Sequence, residues 1–253
     1  MTEQEYRSAE GVNKSTLWNM MKSPAHYKYC LENEQEDRPE FKFGRAVHSA
    51  ILTPEEYLSD YIVMPDGLDK RTRAGKEFIE NAEASGKEIL AADDGQRVEE
   101  MAEAFLRNRD AVALMEGTKR EEPMFWTDDN GILCKCRVDA YKPGMIIDLK
   151  TAREADTRTF SREALRYGYD VQAAHYIDAY LHLEAPTMPE WYFIAIEKTG
   201  PYAINILKAD PDFIKYGFDR RYDLMQRLLK CQEEEEFPDY GVNDLFLPSW
   251  NCL

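Results

Sequence analysis

The segment Cys134–Thr151, CKCRVDAYKPGMIIDLKT, constrains this chain more than any other because it sets an aspartate inside an apolar run that reads as a buried strand. Ile132–Tyr141 is rich in alternating and β-preferring residues, Lys142-Pro143-Gly144 has turn chemistry, and Met145–Lys150 is a short apolar run. The pattern predicts strand, turn, strand. With Pro143 and Gly144 as the turn residues, Lys142 faces Met145 and Asp139 faces Asp148. Directly opposed side chains in such a ladder have Cβ atoms about 5 Å apart, and two carboxylates there repel unless positive charge lies between them. A divalent cation is the simplest such charge. Lys150 projects on the same face as Asp148, because side chains in a strand alternate. A second reading stays open: Arg137, Asp139, Asp148 and Lys150 could form a diagonal charge ladder on a wet sheet face, where ion pairs are worth little. The apolar neighbours of Asp148 favour the metal, since a buried carboxylate must be paired or bound.

At 253 residues and 43% hydrophobic content the chain can bury a substantial core. No apolar run approaches the roughly 18 residues of a membrane span, and MTEQEYRSAEG at the N-terminus has neither a basic nor a hydrophobic region. A cytoplasmic protein with no membrane partner is expected. The odd number of cysteines (Cys30, Cys134, Cys136, Cys231, Cys252), with no CxxC pair, argues for reduced thiols. The net charge of −16 argues against nucleic acid, whose phosphates call for a basic footprint. Much of the acid, however, falls in peripheral runs such as Glu32–Glu40 and Glu233–Glu236, which read as solvated faces, while basic residues cluster elsewhere.

Along the chain, Ser15–Leu31 predicts a helix with Ser15 as N-cap, broken near Ser23-Pro24, with Tyr27 packed among apolar neighbours. Phe41–Leu52 predicts an amphipathic helix with Phe41, Gly44, His48 and Leu52 on one stripe, so that His48 faces inward as a core residue or a ligand. Lys70, Arg71, Arg73 and Lys76 follow the loop that opens at Pro65, either solvated or gripping phosphate. Phe78–Met115 reads as helices punctuated by Gly86 and Gly95, and Arg120–Trp126 leads into a strand closed by a turn at Asp128–Gly131. A helix over Thr157–Tyr167 would align Arg158, Arg162 and Arg166 as a basic stripe, exposed or contacting phosphate. Val171–Leu183 is a further helix with Gln172 and Tyr176 one turn apart. Trp191–Glu197 and Tyr202–Lys208 read as strands, Asp212–Cys231 as a long helix, and the tail from Phe237 to Trp250 as an extended docking segment.

This order predicts an α/β fold: a central mixed β-sheet flanked by helices. A single domain over 1–253 is expected, with a helical part over about 12–118, a sheet core over about 119–208, and a terminal helix and tail over 210–253. No P-loop or glycine-rich nucleotide fingerprint occurs, so ATP use is not expected.

Gly44-Arg45-Ala46-Val47-His48, Arg137-Val138-Asp139, Ile147-Asp148-Leu149-Lys150-Thr151, and Gln172 to Tyr176, in that order, resemble the RecB-type branch of the PD-(D/E)XK nucleases. Lys70–Lys76, Tyr169–Tyr176 and the proline-and-tryptophan tail resemble, more narrowly, nuclease domains of the exonuclease VIII (RecE) type. The resemblance implies a restriction-endonuclease-like core and ATP-independent, Mg²⁺-dependent 5′→3′ degradation of linear double-stranded DNA. It further implies 3′ single-stranded tails handed to a RecT-like annealing protein, and a ring-shaped homo-oligomer of bacterial or phage origin. Carried over by position, it implies metal ligation by His48, Asp139, Asp148 and the Leu149 carbonyl. It implies a catalytic set of Asp139, Asp148 and Lys150 supported by Gln172 and Tyr176, joined by either Glu121 or Glu122. Mn²⁺ is expected to substitute for Mg²⁺ because an imidazole joins the oxygens. The cysteines lack the clustered C-terminal set of the iron–sulfur branch, so no cluster is expected. An endonuclease on the same fold and a non-catalytic DNA-end clamp are the competing readings.

Overall fold

The computed structural model describes Met1, residues 3–33 and residues 38–245. Part of the acidic run before Pro39, the end of the tail and Cys252 lie outside the described residues. After α1 (Glu3–Ser8), α2 (Lys14–Leu17) runs into a 3-10 turn over Trp18–Met21, and α3 (Pro24–Glu32) follows. The expected N-cap Ser15 is displaced by Asn13, whose side chain accepts the Thr16 N–H at 2.9 Å. Ser23 caps α3, and Pro24 begins it, where its missing N–H costs nothing. Helix α4 (Pro39–Leu52) buries Phe43, Ala46, Val47, Ile51 and Leu52. Phe41 is 58% exposed, contrary to the expected stripe. Residues two apart on a helix lie about 200° apart, so burying Phe43 turns Phe41 outward.

Helices and a small sheet follow: α5 (Pro54–Asp60), β1 (Tyr61–Val63), α6 (Arg73–Ala84), β2 (Glu88–Leu90), α7 (Ala92–Arg107) and α8 (Arg109–Met115). Strand β2 falls within Phe78–Met115, where helices are expected, and corrects that reading; it pairs in parallel with β1. Three-residue strands are too short to show a period. Gly95 is not a break either; it sits in the first turn of α7, where an added Cβ would lie 2.5 Å from the Val63 methyls. Its role is close approach.

The main sheet comprises β3 (Lys119–Thr127), β4 (Leu133–Lys142) and β5 (Met145–Ala152), then, after α9 (Thr157–Tyr167) and α10 (Tyr169–Leu183), β6 (Glu190–Glu197) and β7 (Ile204–Lys208). Strand order is β3-β4-β5-β6-β7, antiparallel throughout except for the parallel pair β5–β6. The α9–α10 connection makes that crossover. Helix α11 (Pro211–Glu234) follows. The sheet is covered on both faces. One core joins Leu17, Met20, Phe160, Ile177, Leu224 and Leu228 to Ile146; the other joins Val47, Val98, Met101 and Phe105 to Ile147 and Leu149. Among the described residues, no helix is long and apolar enough to cross a membrane. The start of the tail docks as expected: Phe237 stacks on Tyr27 at 6.3 Å, and the Ala25 N–H donates to the Pro238 carbonyl. Val242 and Leu245 are fully exposed, so the docking stops short of them.

Candidate metal and nuclease site

The β4–β5 hairpin turns as its sequence predicts, with Lys142 opposite Met145 and Gly144 at φ +79°. The ladder runs only as far as Ala140 opposite Ile147. One step further, where the sequence predicts Asp139 directly opposite Asp148, the strands no longer pair, which corrects that expectation. Asp139 Oδ2 instead accepts the Leu149 N–H at 2.8 Å, while Asp148 pairs through its backbone register with Phe193 of β6. Strand β4 also changes the face it presents here: Cys134, Cys136 and Val138 pack in one core, whereas Ala140 packs in the other. Across from Asp139, Glu121 adopts φ +50°, a left-handed conformation that costs a non-glycine residue about 1–2 kcal/mol. The irregularity in both strands creates the gap into which the acidic side chains project.

Several elements fill that gap. Helix α4 brings His48, whose Nδ1 lies 3.5 Å from Asp139 Oδ2. Strand β5 brings Asp148, 1% exposed, which forms an ion pair with Lys150 on the same strand face. Helix α10 brings Gln172, which donates through Nε2 to Asp148 Oδ1 at 2.5 Å. Tyr176, one turn further on, is partly buried and feels the charge of Asp139 and Asp148; burial holds its phenol well above the ordinary value. Ligand atoms of His48, Glu121 and Asp139 lie within 4.8 Å of one another. Glu121 is thereby distinguished from Glu122, and it is also held by Arg137 at 2.9 Å.

Burial dominates the electrostatics. It pushes the Asp148 carboxyl up to about 6, with Lys150 opposing and Asp139 reinforcing the shift. Asp139 is raised for the same primary reason, against the pull of Lys150 and the Leu149 N–H. His48 falls to about 4 because burial and the neighbouring Lys150 disfavour its cation, so the imidazole is neutral and able to ligate. Burial would lower Lys150, but Asp148 and its other anionic neighbours outweigh it and hold the ammonium charged. The buried Asp148 and partly buried Asp139 carboxylates, a neutral imidazole and the nearby Leu149 carbonyl form a donor set that suits a hard or borderline divalent cation. The residues fit the ion.

The remaining candidates lie outside this gap. Lys70, Arg71, Arg73 and Lys76 are exposed, as are Arg158, Arg162 and Arg166 on α9. Arg73 and Lys76 lie on α6 rather than in a loop, because Thr72 caps that helix at the Gly75 N–H. Arg71 is bound to Asp69 at 3.0 Å. Sequence reasoning missed Lys14 and Tyr169. Tyr169 lies beneath the Lys150 ammonium, 4.7 Å from it to the ring centroid. Lys14 interacts electrostatically with Lys150 and Asp148, and burial holds it down at about 7. For Lys14 the signal present was the basic–aromatic pattern KSTLW over α2 and the start of the 3-10 turn.

A family model described as a PDDEXK-like domain of unknown function (DUF3799) matches residues 13–245. No curated protein matches the chain. Among solved structures, a protein from Eubacterium rectale provisionally described as an exonuclease superposes with a TM-score of 0.68 at 17% identity, over 98% of this chain and 96% of that one. At that identity the likeness is one of fold.

Proposed function

The chain belongs to the PDDEXK-like DUF3799 family of the PD-(D/E)XK nuclease superfamily, and on that premise we propose that it is a metal-dependent exodeoxyribonuclease of the exonuclease VIII (RecE) type. It degrades linear duplex DNA from the 5′ end without ATP and leaves 3′ single-stranded tails for a RecT-like annealing partner. The observation that carries the hydrolytic part of this reading is the convergence of His48, Asp139, Asp148 and Lys150 on one gap between β4 and β5. The polarity and the preference for linear ends rest on the family resemblance alone; the Eubacterium rectale neighbour shares the fold and is itself described only as an exonuclease.

His48, Asp139, Asp148 and the Leu149 carbonyl would hold Mg²⁺ or Mn²⁺, and Glu121, a ligand atom of which lies within 4.8 Å of those of His48 and Asp139, would be able to join them. A bound cation there supplies a more acidic water and charge compensation at the phosphate. The chain's own groups do the rest. Gln172 fixes the Asp148 carboxylate in one rotamer by donating to Oδ1. Lys150 stays protonated beside that carboxylate and offers a positive group where negative charge develops on the phosphate oxygens. The exposed cations of Lys70–Lys76 and of α9 contact backbone phosphates away from the cut. A ring of subunits would confine positive charge to a channel and keep the enzyme on its substrate despite the acidic exterior.

Digestion of duplexes labelled at either end, with Mg²⁺, Mn²⁺, Ca²⁺ or chelator, tests the proposal. Mg²⁺-dependent release of nucleotides from the 5′ end, abolished by Lys150→Ala in a folded protein, is expected. Cutting of closed circular DNA would instead identify an endonuclease, and tight binding without turnover in either metal a non-catalytic clamp.

A further inference from the structure

Three cations share two aromatic rings beside the candidate site. Lys150 lies 4.7 Å from the Tyr169 centroid, Lys14 lies 5.3 Å from Trp18 and 5.8 Å from Tyr169, and the Arg220 guanidinium lies 4.6 Å from Trp18. Two of these cations have carboxylates: Lys150 pairs with Asp148, and Arg220 pairs with the fully buried Asp170 at 2.8 Å. Lys14 has none within ion-pair distance among the described residues. It donates to the Tyr167 carbonyl at 2.6 Å, which leaves two of its three N–H groups for another acceptor. The ammonium is also held in place. Gly168, at φ +67°, closes the α9–α10 corner so tightly on Trp18 that an added Cβ would lie 2.6 Å from the indole. A positioned amine with no carboxylate in ion-pair distance, whose proton burial and a neighbouring cation disfavour, is a place where an incoming anion restores the charge.

We propose that Lys14 is a substrate-binding residue that takes a DNA backbone phosphate adjacent to the one being cut, with Trp18 and Tyr169 forming the wall behind it. This inference rests on the nuclease reading above and adds a residue to it. The competing role is structural: Tyr167 is the last residue of α9, so Lys14 also satisfies one of the free carbonyls that end a helix. The two roles differ in what they predict. Loss of a helix-end contact lowers the melting temperature, whereas loss of a phosphate contact raises KM and weakens DNA binding.

The test compares wild type, Lys14→Gln and Lys14→Arg on linear duplexes carrying single neutral methylphosphonate linkages at successive positions near the end, with DNA binding in Ca²⁺ measured in parallel. Lys14→Gln is expected to weaken binding and raise KM about ten- to a hundredfold, in the range of a charge-assisted hydrogen bond, a loss that the lowered melting from the Tyr167 contact alone would not bring. Lys14→Arg should recover most of the loss. A neutral linkage at one position next to the cut should bring wild type to the level of Lys14→Gln and cost the variant nothing more. Unchanged binding and KM in Lys14→Gln, or an equal penalty for wild type and variant at every linkage, would overturn the proposal. A wild type that binds but never cuts removes the nuclease reading, and the effect of Lys14→Gln on binding then decides the phosphate contact by itself.

Discussion

Asp139 Oδ2 and the Leu149 N–H form a 2.8 Å hydrogen bond at the point where the β4–β5 ladder ends, so a side chain satisfies a backbone donor that a strand partner would otherwise take. The same carboxylate lies 3.5 Å from His48. Structural and ligating duties therefore meet in one group, and substitutions can separate them.

Asparagine at this position still accepts through its amide oxygen. Asp139→Asn is expected to melt close to wild type yet lose Mn²⁺ binding, whereas Asp139→Ala also leaves the Leu149 N–H unpaired and costs about 1–3 kcal/mol. Thermal denaturation together with Mn²⁺ titration calorimetry checks both. Retained Mn²⁺ affinity in Asp139→Asn would remove that carboxylate from the ligand set.

Metal affinity should follow the Asp148 carboxyl. Burial raises it to about 6, so below that pH a proton occupies the site the cation needs, and affinity falls by about tenfold per pH unit. His48, held at about 4, adds no second step until the solution is considerably more acidic. In the metal-free protein the sign is that of any raised group. The contribution to stability is present below the ordinary carboxylate value and is lost as pH rises through 6. Mn²⁺ titrations from pH 5 to pH 8 should show affinity climbing and then levelling off above 6. A profile flat across that range would contradict the assignment.

Gln172 positions Asp148 through a single side-chain hydrogen bond. Gln172→Ala is expected to lower metal affinity or turnover about ten- to a hundredfold, the usual cost of losing a group that orients a ligand. Gln172→Glu should be worse at neutral pH, because it places a third carboxylate beside two that already repel. An alanine variant with wild-type metal affinity and turnover would show that Asp148 needs no such support.

Away from the site, Asp178 Oδ2 accepts from Trp126 Nε1 and Arg221, each at 2.7 Å, and Arg221 Nε donates to His175 Nδ1 at 3.2 Å. His175 is fully buried and held neutral at about 3 by that burial and by Arg221, with its other nitrogen 3.2 Å from the Lys135 carbonyl. Asp178→Ala leaves a nearly buried guanidinium without its counterion and is expected to cost about 3–5 kcal/mol in urea denaturation. A loss below about 1 kcal/mol would show that the network contributes little to holding α10 and α11 on the sheet.

Local chemistry by itself determined the hairpin. Pro143-Gly144 dictates the turn, the apolar run dictates a buried β5, and alternation puts Lys150 on the face of Asp148; all of these are properties of neighbours in the chain. The mixed sheet and the span of α9 were legible for the same reason. What only the tertiary structure decided involves residues far apart in sequence. The choice of Glu121 over Glu122 depends on a left-handed residue and a shift of facing in the adjacent strand, neither of which leaves a periodic trace. Lys14 reaches the site only because the α9–α10 corner closes on Trp18 across some 150 residues. The β4–β5 ladder ends after Ala140, where β4 changes the core it faces and Asp139 Oδ2 takes the Leu149 N–H, and that depends on two cores packed from distant parts of the chain. Turn and strand propensities act over a few residues, whereas a site of this kind is assembled from side chains that packing alone brings together.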